Sequence, residues 1–327
     1  MSWSSLRSLA LLALLVPCIV PLAARAQTAD YPSRPIRIVA PIPAGGSTDV
    51  LTRDIARRLQ ERWGQPVVVE NKPGSTGSIG AALVARAPAD GYTLLLVNSG
   101  HSINGHVYAK LPYDPVKDFV PVVHATTIAM GVFVHPSVPA KNLQEFLALA
   151  RARPGGLSFA TSGNGGAGHL GGESVKAATG IDMVHVPYRG SAPAIADVVA
   201  GQVPVSMADV PLAAPHVRTG ALRPIALASS RRSAVLPDMP TFAELGVSGV
   251  DYSVWVGYLA PAGTPKAVVD KLNREIVAIL REPAMNARLV EMGFDIVASS
   301  PTEFEQTIRA DHERYGVIVR KAGIKLE

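Results

Sequence analysis

The stretch Ile36-Arg37-Ile38-Val39-Ala40-Pro41-Ile42-Pro43-Ala44-Gly45-Gly46-Ser47 decides the fold. Its first five residues are β-branched and apolar enough for a buried strand, and proline and glycine then break the chain. Thr48 to Trp63 follows, with Val50, Leu51, Ile55 and Leu59 on one helical face. Strand, glycine-rich loop and helix in that order form the repeating unit of α/β proteins. The unit recurs at once: strand Val67 to Glu70, loop Asn71 to Ser78, helix Ile79 to Ala87 and strand Thr93 to Val97.

A second series begins near Thr126. Met130 to Val134 reads as a strand, and Asn142-Leu143-Gln144-Glu145 as a capping box opening a helix to Arg153. Strand Leu157 to Ala160 leads through loop Ser162 to Gly168 into helix His169 to Thr179, stopped at Gly180. Strand Met183 to Val186, helix Ala192 to Ala200 and strands Val205 to Ala208 and Arg223 to Ala228 complete the series. From Ser253 the chain returns, with Thr264-Pro265 starting one helix and the capping box Ser300-Pro301-Thr302-Glu303 opening the last. The expected organisation is two lobes, residues 30–125 plus 253–327 and residues 126–252, with two crossings forming a hinge.

The amino end reads as an export signal over residues 1–26. Arg7 supplies the positive region, Leu9 to Val20 the apolar stretch, and Ala24-Arg25-Ala26 the cleavage site. The apolar run is shorter than the ~20 residues a spanning helix needs. Cys18 follows Pro17, where lipidation wants a small residue, so no lipid anchor is expected. Cys18 is the sole cysteine of the 327 residues and leaves with the signal, which excludes disulfides and thiolate chemistry. Removing Arg7 and Arg25 leaves 29 basic against 26 acidic residues, a net +3. The charges are interspersed, without the basic stripe of a nucleic-acid binder. A soluble, monomeric protein that is not membrane-embedded is expected.

Three glycine-rich loops, Pro41 to Ser47, Pro73 to Ser78 and Ser162 to Gly168, each sit between a strand's carboxyl end and a helix's amino end. Ligands of open α/β sheets bind there, and the free N–H groups of a helix start suit an anion. Gly163, Gly165 and Gly168 also match G-x-G-x-x-G, yet no acidic residue ends the next strand, so no dinucleotide cofactor is expected. The histidines are scattered, no H-E-x-x-H is present, and no metal is expected. His101 and His169 follow loops and read either as cleft-rim hydrogen-bond donors or as structural groups. Asp49 and Asp209, two carboxylates near the expected cleft, read in one alternative as an acid/base pair; in the other, Asp49 caps the first helix or pairs with a base on it. Asp209 reads as an orienting group or an acceptor from a ligand amine, and Arg189 as a bidentate carboxylate partner or a solvent-facing side chain. No G-x-S-x-G elbow is present.

Nearly the whole chain after the export signal resembles the Bug family, periplasmic substrate-binding proteins of tripartite tricarboxylate transporters. The resemblance rests on Pro43-Ala44-Gly45-Gly46 with Asp49, Val69-Glu70-Asn71-Lys72-Pro73-Gly74, Asp90-Gly91-Tyr92-Thr93-Leu94, and Val186-Pro187-Tyr188-Arg189-Gly190. It closes with Pro240-Thr241-Phe242-Ala243-Glu244 and Ala260-Pro261-Ala262-Gly263-Thr264-Pro265. Arg189 stands where the family commonly has lysine. The resemblance implies a two-lobed periplasmic binding protein fold of type II-like build, with two mostly parallel sheets flanked by helices and a hinge. It implies non-catalytic capture of a small carboxylate by backbone amides, hydroxyls and water, and integral membrane transporter subunits as partners. Ala44, Gly45, Gly46, Ser47, Thr76, Ser78, Ser99 and His101 would serve from the first lobe, and Ser162, His169, Arg189 and Asp209 from the second. A sensory module that presents its ligand to a receptor, or a secreted hydrolase, are the alternatives.

Overall fold

The computed structural model describes residues 31–250 and 252–323, so the export-signal reading of residues 1–26 lies outside the described residues. The opening unit folds as its pattern predicts: β1 (Ile36–Ala40), α1 (Ser47–Trp63), β2 (Val67–Asn71), a short 3-10 turn at Ser75–Gly77, α2 (Ser78–Ala85) and β3 (Thr93–Asn98). A further helix, α3 (Gly100–Val107), follows β3. The second series is α4 (Leu143–Ala152), β5 (Ser158–Thr161), α5 (Ala167–Thr179), β6 (Val184–Pro187), α6 (Ser191–Val199), β7 (Val205–Asp209), α7 (Val210–Arg218) and β8 (Arg223–Leu227). The chain closes with β9 (Ser253–Pro261), α8 (Lys266–Leu280), α9 (Pro283–Glu291), β10 (Phe294–Ile296) and α10 (Pro301–Ala322).

One long strand, β4 (Phe119–Val134), joins the two series. Residues Phe119–Ala129 of β4 pair with β9, whereas Met130–Val134 pair with β7 on one side and β8 on the other. The strand order is β2-β1-β3-β9-β4-β7-β5-β6. The parallel pairing expected from the sequence is confined to β2-β1-β3 and β6-β5-β7. The central pairs β3-β9, β9-β4 and β4-β7 are antiparallel, so each sheet is mixed. The reason is connectivity. A strand returning from the second series beside β4 runs against it, a pairing that local patterning does not encode.

Strand direction sets the location of the loops. Because β3 and β4 both run against β9, strands β1, β2 and β3 point the same way as β4, toward the second series. Strands β5, β6 and β7 run against β4 and point back. The carboxyl ends of the two parallel sets therefore face each other across the middle of β4. Asn98, ending β3, lies level with Val256 and Thr126, while Asp209, ending β7, pairs with Met130. Three residues of β4, Thr127 to Ala129, lie between the two ends, a span of about 13 Å at ~3.3 Å per residue step.

Each half buries its own apolar cluster: Ile38, Leu51, Leu94, Tyr258 and Leu272 in the first, Phe146, Phe159, Leu170, Met207 and Tyr252 in the second. Helix α10 touches both. Phe304 and Ile308 pack with Trp255 and Leu259 of the first half, while Tyr315 and Val319 join the second cluster. Buried Asp311 of α10 accepts from Trp255 Nε1 at 2.6 Å, from Tyr315 OH at 3.1 Å and from Arg314 at 2.8 Å, which ties the helix to β9 where it flanks β4. Ser300 and Asn142 cap their helices as expected. Thr264 does not, because its hydroxyl donates back to the Pro261 carbonyl and α8 starts at Lys266.

Candidate functional site

Six helices, α1, α2, α3, α5, α6 and α7, begin where strands of the two parallel sets end. In none of the six does the N-cap residue's own side chain cap the helix, although Asn98 Oδ1 accepts from the Gly100 N–H at the start of α3 at 2.9 Å. α8 and α9 also start without one, so the missing cap alone is not distinctive; what is particular is that six such ends converge on one gap. Uncapped first-turn N–H groups need a partner from outside the helix.

The first half presents a pocket of about 320 Å³. Its walls include Ile42, Pro43 and Thr48 from the first loop, Gly74, Thr76 and Gly77 from the second, and Asn98, His101 and Asn104 beyond β3. No lysine or arginine lines it. The two loops pack closely. Gly77 has φ +88°, and a Cβ there would stand 3.4 Å from Pro41, so glycine is needed for conformation and approach alike. Thr76 also takes the left-handed region (φ +52°), held by Asn104 Nδ2 donating to its carbonyl at 3.1 Å and by Tyr108 OH at 3.2 Å from its Oγ1.

Ala44, Gly45, Gly46 and Ser47 are all exposed on the loop beside this pocket, which is walled by their neighbours Pro43 and Thr48. The Gly45 N–H is not a free donor: it bonds Asp49 Oδ2 at 2.9 Å. Asp49 is buried and also accepts from Arg53 Nε at 2.9 Å and Asn71 Nδ2 at 2.8 Å. Burial pushes this carboxyl up, but the Arg53, Asn71 and Gly45 hydrogen bonds outweigh it and hold the group below the usual carboxylate range. Asp49 thus anchors the loop. Ser78 is buried at the start of α2, outside the pocket walls, and Ser99 is fully buried at the head of α3.

His101 borders the pocket, but its Nε2 donates to the Pro115 carbonyl at 2.8 Å and its ring lies against Tyr113 and Phe119. Burial lowers its pKa to about 4. Of the two readings offered by the sequence, this geometry is the structural one.

The second half presents a recess of about 30 Å³, lined by Thr161, Ser162, Ser191, Ser206 and Asp209 with Met130 of β4 among its apolar walls. Gly168 starts α5 so close to the sheet that a Cβ would meet the Met207 carbonyl at 3.0 Å. His169 lies outside this lining. Its Nδ1 accepts from the Gly165 N–H at 3.1 Å, and its ring stacks on His185 at 3.7 Å. His185 Nε2 in turn sits 2.6 Å from Thr161 Oγ1. Burial lowers both histidines to about 4, His169 with help from Lys176 and His185 with help from His169. Of the two readings offered by the sequence, Nδ1 serves the structural one: as a neutral imidazole His169 turns this acceptor to the loop backbone and holds the loop.

Asp209 ends β7 with no side-chain capping bond to α7, and burial pushes its carboxyl up to about 6. Arg189 is exposed, with no ion pair among the described residues, and does not line the recess. Thr48, Asn98, Asn104, Ser191 and Ser206 wall the two pockets without having been singled out from the sequence. Ser206, the one hydroxyl within the apolar run Val205 to Ala208, carried a signal that alternation could have shown.

Residues 51–324 match the family model described as the tripartite tricarboxylate transporter family receptor. BugT of Bordetella pertussis is 36% identical over 308 residues, covering 94% of each chain. Among solved structures, Rpa4515 of R. palustris with adipate superposes with a TM-score of 0.80 at 36% identity, over 90% of this chain and 99% of that one. MatC from Rhodopseudomonas palustris with bound malate gives 0.76 at 31% identity, over 88% and 100%. The family match spans most of the chain and the solved relatives reproduce its fold: this protein belongs to the tripartite tricarboxylate transporter receptor family.

Proposed function

We propose that this chain is a periplasmic solute-binding protein. It captures a small organic carboxylate between its two halves and delivers it to the integral membrane subunits of a tripartite transporter. The observation that carries the reading is the convergence of uncapped helix starts from opposed parallel strands on the middle of β4. A charge-assisted hydrogen bond contributes about 1.5–3 kcal/mol, so a few of them offset carboxylate desolvation and the cost of ordering and leave affinity near micromolar or tighter. The adipate and malate held by two relatives fit the same chemistry.

The halves act as lobes, residues 30–125 plus 253–327 and residues 126–252, joined by β4 and by the return into β9. Tyr252 N, donating to the Ala228 carbonyl, and the packing of Tyr315 and Val319 on the second cluster support a hinge that includes α10. Closure buries the ligand and marks the loaded state for the membrane partner. Residues 1–26 are removed on export, and the chain works as a monomer without cofactor. Capture without catalysis is supported by the histidines nearest the second loop set, whose ring nitrogens are engaged with Gly165 and Thr161 rather than with a loop serine.

A thermal-shift screen of residues 27–327 against about 100 small organic acids tests the reading, because a ligand of the folded state raises the melting temperature by mass action. Carboxylates that raise it support capture. A response to neutral sugars alone, with none to any acid, overturns it.

A further inference from the structure

The recess of the second half differs in chemistry from the pocket that faces it. Its polar lining is four hydroxyls and one carboxylate, and no lysine, arginine or histidine is among its walls. Thr161 Oγ1 is engaged by His185 and Gly163. Ser206, 1% exposed, has a buried hydroxyl with no hydrogen-bond partner among the described residues. No described residue donates to the Asp209 carboxylate either, although Asp209 stands at the head of α7, and its backbone pairs with Met130, where β4 passes from β9 to β7 and β8. The recess is the smaller of the two, about 30 Å³. An ammonium or hydroxyl would meet both unpartnered groups, whereas a carboxylate would bring a second negative charge beside Asp209 with no lysine, arginine or histidine in the walls to offset it.

We infer that this recess takes a hydrogen-bond-donating group at the far end of the ligand, with Asp209 and Ser206 as its acceptors. The protein's ligand class is therefore an amino- or hydroxycarboxylate rather than a dicarboxylate. The carboxylate sits against the helix starts of the first half and the donor reaches Asp209 as the halves close. Asp209 is a specificity-determining residue: it separates ligands by what they carry opposite the carboxylate. The inference rests on the capture function proposed above.

Calorimetry on residues 27–327 at pH 8 tests it with two length-matched sets: succinate, 4-hydroxybutanoate and 4-aminobutanoate, and adipate, 6-hydroxyhexanoate and 6-aminohexanoate. In at least one set the amino or hydroxy acid should bind ten- to a hundredfold more tightly than the diacid, the scale of one charge-assisted hydrogen bond. The amino acid leading points to an ammonium ligand and the hydroxy acid leading to a hydroxyl one. Asp209→Asn should erase the preference, and Ser206→Ala should shrink it several-fold. Ser206→Ala alone decides if the first variant does not fold. A diacid bound as tightly as its analogues, or a preference unchanged in the folded variants, overturns this inference and leaves capture standing. Wild-type protein that binds none of the six, nor any acid in the screen, brings down both.

Discussion

The two sides of the gap are built on one plan and furnished differently. In the first half the walls are proline, glycine, leucine and neutral amide groups around about 320 Å³. In the second they are hydroxyls and one aspartate around about 30 Å³. The anchors differ too. An ionised carboxylate, Asp49, holds the first loop through Gly45, Arg53 and Asn71, while a neutral imidazole, His169, holds the third through Gly165. A repeated βα plan fixes where ligand groups can sit. The side chains at each loop decide which group sits where.

The largest expected effect breaks the first half's role. Thr48→Asp places a carboxylate in the first turn of α1, where the helix dipole favours it, and aims it at the pocket. Affinity for carboxylates should fall a hundredfold or more by calorimetry while the unliganded melting temperature changes by no more than about 2 °C, since the helix itself is not harmed. Unchanged affinity would remove the first loop from the site.

Next comes the frame that relates the halves. Asp311→Ala leaves Trp255, Tyr315 and Arg314 without their shared acceptor and should cost about 2–4 kcal/mol by denaturant unfolding. A loss under 0.5 kcal/mol would mean that the α10 network does not support the join.

The anchors give a smaller, paired test. Asp49→Ala releases the first loop and should weaken binding about tenfold; His169→Leu frees one N–H of the third loop and should weaken it about fivefold, each read by calorimetry against the common scale of one hydrogen bond. Acid separates the two. In the unfolded chain His169 and His185 take up protons near 6.5, but in the folded chain only near 4, so protons favour the unfolded state between those values. Their contribution is whole above pH 6.5 and is lost as pH falls toward 4. Asp49, lowered by its partners, keeps its contribution until pH falls below the usual carboxylate range. Amide exchange, corrected for intrinsic rate, should therefore accelerate at residues 163–168 before residues 44–49 as pH drops from 7 to 5. Simultaneous loosening would contradict the distinction.

Much of this was legible in the sequence, for reasons that also mark the limit. β1, its loop and α1 were read nearly to the residue because the strand is apolar, the loop is proline and glycine, and the helix is amphipathic. α3 was missed: Gly100 to Val107 carries two glycines and no apolar stripe, and is held instead by burial against α10. α7 was missed because Pro211 and Pro215 argue against a helix. The antiparallel centre of the sheet, and with it the opposition of the two loop sets, depends on contacts between β4 and β9 more than a hundred residues apart. The loops could be named from the sequence, but not which of their atoms were already spent: Gly45 N–H, His101 and His169 all serve the fold.

The central claim is that one guest bridges both halves, and a crystal structure of the protein with its best-binding acid tests it most directly. The account predicts carboxylate oxygens within hydrogen-bond distance of backbone N–H groups at the starts of α1 or α2, with the opposite end of the same molecule at Ser206 and Asp209. A ligand held by one half alone, leaving the other more than a water layer away, would contradict it.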